Sequence, residues 1–430
     1  MFNVLKLINT ILMTIVSVFY FNQIFNLFVS LFTKKKKQKE AKVNHKYAYL
    51  ICARNEENVI GNLIDSIKNQ DYPDSNMIIF VTSDNSTDAT AKVAKSKGAI
   101  VFERYDKELI GKSYAMDWSF KKIMSEYKDL DIDAFIILDA DNLVSKDFTL
   151  EMNKAYDEAI TNNKTKIITG FRAPKNFKAS WVAAGSGYLL LRENYHMHHS
   201  RSILNNGTYV SGTGYLIDYD YIKEFGGWPY HTLVEDIEVS TDMTINGEKI
   251  GYCESAVFFD DQPKRMKYSW RQRMRWCKGT HQVFSKYGFK LFKSLIKKPS
   301  LTKWGMFVHI IPLPAISFIW IMLLLIIGGV YSIITNVSFS DYFNNCMIIG
   351  ISDILAPMAF TLFVGAVAII QGWKKINANA FYKIFYLFLF PIFMVLYLPI
   401  TTISLFINVK WKQIKHSSYY DKKKIEKEAK

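Results

Sequence analysis

Long apolar stretches at both ends of the chain constrain it most, because they commit those ends to a hydrophobic environment and leave only the middle to fold in water. Leu7 to Phe32 carries no charged side chain, though Asn9, Asn22, Gln23 and Asn26 interrupt it. At ~1.5 Å per helical residue it can cross a hydrocarbon core of ~30 Å. It is long for a signal-peptide core, and no small-residue cleavage site follows. Lys34–Lys37 come next, and lysines there anchor a helix on the cytoplasmic side. That places the N-terminus outside and residue 34 onward inside. Three further stretches, Gly305–Ile334, Cys346–Gln371 and Ile384–Val409, are each long enough to span. If all three cross, the lysine-rich tail Lys410–Lys430 ends outside, against the positive-inside tendency. Whether one of them is re-entrant or interfacial stays open. Pro312, Pro314, Pro391 and Pro399 predict kinks. Asp353 lies in the second stretch. It is either an intramembrane carboxylate, a functional candidate by default, or a group close to the interface.

Between the apolar ends, Tyr47 to about Asp260 reads as α/β. Tyr47–Ala53, Met77–Thr82, Ile100–Glu103 and Ala134–Leu138 are short apolar runs, the pattern of buried strands. Asn58–Asn69, with Ile60, Leu63, Ile64 and Ile67 on one face, and Thr87–Lys97 read as helices. Alternation of this kind implies a largely parallel sheet, with ligands at the carboxyl ends of its strands. A composition 50% hydrophobic excludes a disordered chain. The net charge of +15 suits contact with anionic lipid or an anionic substrate. No zinc-finger spacing, RNP pattern or repeat accompanies it, so nucleic acid is not the expected partner. The four cysteines, Cys52, Cys253, Cys277 and Cys346, form no C-x-x-C pair. They read as buried small hydrophobes in a reducing compartment. In Val283–Lys298, apolar residues at helical spacing (Phe284, Tyr287, Leu291, Phe292, Leu295, Ile296) alternate with lysines. That predicts an amphipathic helix lying on anionic lipid, packing onto the domain being the alternative; Pro299 ends it. The expected organisation is a membrane helix (1–33), a cytoplasmic domain (34–282), an interfacial helix (283–299), a membrane region (300–410) and a basic tail (411–430).

The chemistry-bearing clusters follow apolar runs. Asp139-Ala140-Asp141 comes after Phe135–Leu138. Two carboxylates at i and i+2 after a buried strand can share a hard divalent cation with phosphate oxygens. Ser83-Asp84-Asn85-Ser86-Thr87-Asp88 also follows a strand. Helix capping accounts for Ser86, Thr87 and Asp88; Asp84 is left for a base or ribose contact. Glu235-Asp236 opens a helix after Gly226-Gly227-Trp228-Pro229, where a carboxylate is either stabilised by the helix dipole or serves as a general base. Gln272, Arg275 and Trp276 lie in an arginine-rich segment. Arg275 can clamp phosphate and Trp276 can stack on a sugar; contact with lipid headgroups is the alternative. His196, His198 and His199 do not converge on one helical face and read as surface or interface histidines.

Taken together, these motifs resemble the membrane-bound, inverting family 2 glycosyltransferases, the cellulose, chitin, hyaluronan and poly-N-acetylglucosamine synthase group. The resemblance covers roughly Tyr47 to Gln282. It implies a GT-A type α/β domain with a mostly parallel sheet, and N- and C-terminal transmembrane helices. It implies that Ala53, Asn55, Glu56, Asp84, Lys112 and Asp139 surround the nucleotide, that Asp141 with Asp139 holds Mg2+ or Mn2+, and that Ser211 and Gly212 line the acceptor site. Asp236 matches the catalytic base, and Gln272, Arg275 and Trp276 match the Q-x-x-R-W motif of polymerising members, Trp276 also seating the acceptor. Ser83-Asp84-Asn85-Ser86 departs from the more usual D-D-G-S. The implied partners are a nucleotide-sugar (UDP-sugar) donor, a carbohydrate or lipid acceptor, membrane lipids, and an accessory exporter or a second copy of the chain. The implied location is a cell membrane, with the catalytic domain facing the cytoplasm. The implied reaction builds a β-linked polysaccharide. Single-sugar transfer to a lipid, and a non-catalytic scaffold with a degenerate transferase domain, are the competing readings.

Overall fold

The computed structural model describes residues 1–162 and 165–409; the expected basic tail lies outside them. The domain is built on one eight-stranded sheet. Its strands are β1 (Tyr47–Ala53), β2 (Met77–Asp84), β3 (Ile100–Arg104), β4 (Ala134–Asp139), β5 (Leu143–Val144), β6 (Ile167–Pro174), β7 (Tyr215–Asp218) and β8 (Gly251–Asp260), in spatial order β3-β2-β1-β4-β7-β6-β8-β5. β3, β2, β1 and β4 are mutually parallel. β7 runs antiparallel to both β4 and β6, while β6 and β8 are parallel.

The run YAYLICA explains the centre of this sheet. In β1 the odd positions Tyr47, Tyr49, Ile51 and Ala53 enter one core with Ile60, Leu63, Ile64 and Ile67. The even positions Ala48 and Leu50 enter another with Met116, Phe120 and Ile123. Alternate residues of a strand face opposite sides, so a strand covered by helices on both faces must be apolar throughout. The two early helices are shorter than their periodicity predicts, Ile60–Lys68 and Thr90–Ser96.

Among the described residues, four helices are long and apolar enough to cross a membrane: Phe2–Phe32, Leu313–Ile334, Phe339–Gln371 and Ala380–Phe406. The expected stretch Gly305–Ile334 is divided. A helix Leu301–Ile310 ends before Pro312, and a second begins at Leu313. The last stretch continues through Pro391 to Val395 and resumes at Tyr397. Asp353 lies beside Asn9 of the first helix, and Asn9 accepts a hydrogen bond from Trp320 Nε1 at 2.8 Å.

The basic stretch Val283–Lys298 is the second half of one helix, Met266–Lys297, that begins before Gln272. It serves two surroundings. Val283, Tyr287 and Leu291 are buried against Ile237, Met306 and Ile310, so this face packs on the protein. Phe289 and Ile296 stay exposed, an apolar face that the protein does not cover. The domain also joins the long apolar helices directly, through Phe171, Tyr188, Leu191, Ala368, Phe390 and Phe393.

Candidate active site

The strand registers bring the acidic motifs to one rim. Cys52 of β1 pairs with Asp139 of β4 and Thr82 of β2, and Ala53 with Ser83. Asp84 and Asp139 therefore close the two parallel strands that flank β1, at the same end. The loops above that end are tied together. Asn55, at φ +56°, receives the Thr87 amide on its Oδ1 at 2.7 Å, and its own amide donates to Ser86 Oγ at 3.2 Å. The Glu56 amide donates to Thr90 Oγ1 at 2.8 Å. This corrects the capping expectation: the next helix starts after Ala89 with no side-chain cap, and Ser86 and Thr87 are spent on Asn55. Asp88 folds back onto the Thr90 amide at 3.0 Å.

Asp84 is buried and receives Arg104 Nη1 at 2.5 Å, while Arg104 Nη2 holds Asp106 at 2.7 Å. Burial pushes the Asp84 pKa up and Arg104 opposes the shift. Arg104 is a site residue that sequence reasoning missed. It faces Asp84 only through the β2–β3 register, which local sequence does not print.

The D-x-D turn is similarly braced. The Asp139 amide donates to Thr213 Oγ1 at 2.8 Å, and Thr213 donates to Asn142 Oδ1 at 2.6 Å. Asn142 Nδ2 in turn holds Asp260 at 2.7 Å. Lys112 Nζ makes an ion pair with Asp139 and donates to the Gly212 carbonyl at 2.7 Å. Asp141 is buried, with Lys175 Nζ on its carbonyl at 3.1 Å. The donor set fits a hard cation in one specific way. Among the described residues no three His, Cys, Asp or Glu side chains group as metal ligands, so a cation on Asp139 and Asp141 would complete its shell with phosphate oxygens and water, as Mg2+ commonly does.

Opposite this turn, Glu235 and Asp236 open the helix Glu235–Asn246. A Cβ on Gly212 would stand 3.6 Å from Asp236 Oδ2, so the small-residue segment leaves that carboxylate approachable. Gly212 and Gly214 have φ of +86° and +68°, and a Cβ on Gly214 would meet Phe258 Cε1 at 2.0 Å. Glu235 is buried and its pKa is pushed up to about 7, by desolvation first and then by the Asp236 charge, with Lys112 and Arg275 opposing. Burial also raises Asp236. Arg275 is pinned to the Leu233 carbonyl at 2.8 Å. Gln272 is half-buried on the same helix, and Trp276 packs against the cluster of Val234, Ile237 and Phe307. Lys112, Asp84, Asp139 and Glu235 all lie within electrostatic reach of the Cys52 thiol, so Lys112 and these three carboxylates share one small region.

The histidines are corrected. All three are buried on the π-helical turn Glu193–His199, between the domain and the long apolar helices. His196 meets Gln371 at 3.0 Å, and His199 meets Glu254 at 2.7 Å and Thr33 at 3.0 Å; His198 bonds Thr208. The interface expectation holds and the surface one does not, because the contacting groups come from distant segments.

A mixed α/β sheet with carboxylates and a lysine at its strand ends, carried on apolar helices, defines a GT-A type domain. The chain belongs to the glycosyltransferase-like family 2, whose model matches residues 45–279. A probable glycosyltransferase of Bacillus subtilis, YdaM, is 24% identical over 393 residues, covering 86% of this chain and 84% of that protein. The poly-β-1,6-N-acetyl-D-glucosamine synthase of Staphylococcus epidermidis is 26% identical, covering 59% of this chain and 58% of that one. The β-monoglucosyldiacylglycerol synthase of a Synechocystis strain is 21% identical, covering 55% and 48%. The chain thus spans only about half the length of several curated relatives it matches. A mannosyltransferase from Pyrobaculum calidifontis, solved with GDP-Man and Mn2+, shares the fold with a TM-score of 0.53 at 14% identity, over 92% of this chain and 98% of that one.

Proposed function

We propose that this chain transfers a sugar, with inversion, from a nucleoside diphosphate sugar to a hydroxyl acceptor at a membrane, building a β-linked polysaccharide. The observation that carries this reading is the arrangement around Gly212: Asp236 Oδ2 lies 3.6 Å from where a Gly212 Cβ would stand, and Lys112 joins the Gly212 carbonyl to Asp139. An acceptor hydroxyl near Gly212 would thus lie between a proton-accepting carboxylate and the diphosphate end of the donor. Asp84 and the stitched Asn55–Glu56 loop, with Ala53 beneath it, would bind the nucleoside. Asp139 and Asp141 would hold Mg2+ or Mn2+, which supplies charge neutralisation to the departing diphosphate. Mn2+ beside a nucleotide sugar in the mannosyltransferase is in keeping with this. Asp236 takes the acceptor's proton as its oxygen attacks the anomeric carbon, and a single displacement inverts the linkage. Arg275 stabilises the growing negative charge, and Gln272 and Trp276 orient the acceptor, with Ser211 and Gly212 lining its path. The domain would face the cytoplasm, with the four apolar helices in the membrane.

The glucolipid synthase among the relatives supports a second reading, in which one sugar is added to a lipid. One experiment tests both. Purified chain in detergent is given a panel of UDP- and GDP-sugars with Mg2+, Mn2+ or a chelator. Nucleoside diphosphate release and product length are then measured. Cation-dependent release with long product is expected. Single-sugar lipid product would favour the second reading, and no release from any donor under any condition would refute both.

A further inference from the structure

We propose that Arg172 and Asp260 are positioning residues for sugar transfer: with Asn142 they hold the D-x-D turn and the Ser211–Gly214 segment in one mutual register, so that cation and acceptor are set against each other. The inference rests on the site reading above and adds two residues to it. Arg172 is the one charged residue of strand β6. Its side chain is 14% exposed and that of Asp260 only 4%. Arg172 Nη1 donates to the Ser211 carbonyl at 2.7 Å, and Nη2 to Asp260 Oδ2 at 2.8 Å. Asp260 Oδ1 accepts from Asn142 Nδ2 at 2.7 Å, and Asn142 Oδ1 accepts from Thr213 Oγ1 at 2.6 Å. These contacts close a ring that runs from Asp260 through Asn142 to Thr213, along the chain to Ser211, and back through Arg172.

The ring joins the two segments that the reaction must align. Asn142 follows the D-x-D pair directly. Its Oδ1 also accepts the Asp139 amide at 3.1 Å, and its own amide donates to the Asp139 carbonyl at 3.0 Å. On the acceptor side, two successive carbonyls are each held by a cation, Ser211 by Arg172 and Gly212 by Lys112. Each cation is paired with a carboxylate, Arg172 with Asp260 and Lys112 with Asp139. Lys112 and Asp139 meet the donor in the reading above. Arg172 and Asp260 touch neither reacting group and act through Ser211 and Asn142.

Stability alone does not call for this arrangement. Well-packed apolar side chains of similar volume often match or better a buried ion pair. What the charged pair adds is direction, because a planar guanidinium fork fixes the geometry of both groups it binds. Asp260 accepts from Asn142, Arg172 and Gln262 Nε2 together, so an amide in its place would set an NH2 group against a donor. Losing a partner one bond removed from a cation site changes metal affinity or activity by roughly 10–100-fold. Misplacing reacting groups by ~1 Å costs ~10²-fold in rate.

The test has a readout apart from turnover. Mn2+ binding to the full chain in detergent, with UDP or GDP present, is measured by electron paramagnetic resonance. Nucleoside diphosphate release at saturating Mn2+ gives kcat and the donor KM. Arg172→Gln and Asp260→Asn should each weaken Mn2+ binding roughly tenfold and lower kcat roughly 10²-fold. The donor KM should change little, because Asp84 and the Asn55 loop lie outside the ring. The double variant should fall little further than either single one, since both break the same ring. Tyr156→Phe is the control for a purely structural loss. It removes bonds to the Asp133 carbonyl and Asp218 at the other end of β4, and should lower Tm with Mn2+ binding unchanged. Wild-type Mn2+ binding and kcat in both ring variants, or a lowered Tm with nothing else moved, overturns the inference and leaves the functional reading standing. A wild-type chain that neither binds Mn2+ with a nucleotide nor releases diphosphate from any donor sinks that reading, and this inference with it. Should Arg172→Gln not fold, Asp260→Asn decides by the same measurements.

Discussion

Replacing Asp236 by Asn separates the two adjacent carboxyls at the start of the helix Glu235–Asn246. Glu235 rises from 4.5 to about 7 because burial and the Asp236 charge oppose its ionisation. At ~1.36 kcal/mol per unit, that shift corresponds to roughly 3 kcal/mol favouring the protonated form. A carboxyl whose folded pKa is raised costs stability as pH climbs from its unfolded value through the folded one. The strain from Glu235 is therefore absent below about 4.5 and complete above about 7. Asp236→Asn removes the neighbouring charge, so the Glu235 pKa should fall and part of that strain should disappear; folding is retained or improved at neutral pH. Turnover behaves oppositely. Loss of a general base costs ~10²–10⁴-fold, or about 3–5 kcal/mol of activation free energy. The assay is nucleoside diphosphate release, paired with calorimetric nucleotide binding, which should be nearly unaffected. Glu235→Gln is the contrasting variant. It leaves Asp236 in place, and because Asp236 ionises before Glu235, turnover should survive with the acidic limb of the rate profile little moved. Near-normal turnover in Asp236→Asn, or a dead Glu235→Gln beside it, would refute the assignment of the base.

Two further substitutions probe what holds the rim in shape. Arg104→Gln strips a buried ion pair from Asp84 and should cost roughly 3–5 kcal/mol, read as a lower Tm with weakened nucleotide binding; an unchanged Tm would mean that Asp84 needs no such partner. Gly214→Ala forces a Cβ into Phe258 at positive φ and should cost roughly 2–5 kcal/mol, whereas Gly226→Ala, also at positive φ but with nothing within 4 Å, should lose only ~1–2 kcal/mol.

The parallel half of the sheet was legible because strands buried on both faces must be continuously apolar, and β1, β2 and β4 are. Their acidic ends were legible for the same reason: a charge directly after such a run must lie at the strand's carboxyl end. The second half of the sheet was not. β6, β7 and β8 owe their places to pairing between segments far apart in sequence, and local periodicity carries no trace of a long-range partner.

By itself, then, the sequence determined the apolar ends, the α/β alternation between them and the carboxylates Asp84, Asp139, Asp141 and Asp236, since hydrophobic period and residue chemistry are local properties. Only the tertiary structure decided which neighbours those groups meet. It set Arg104 on Asp84, Lys112 between Asp139 and Gly212, and one face of the Val283–Lys298 segment on the protein instead of on lipid. It also buried Arg201 beside the first apolar helix. Each is a contact across a long loop of chain, and its energy depends on burial and geometry that exist only once the chain has folded.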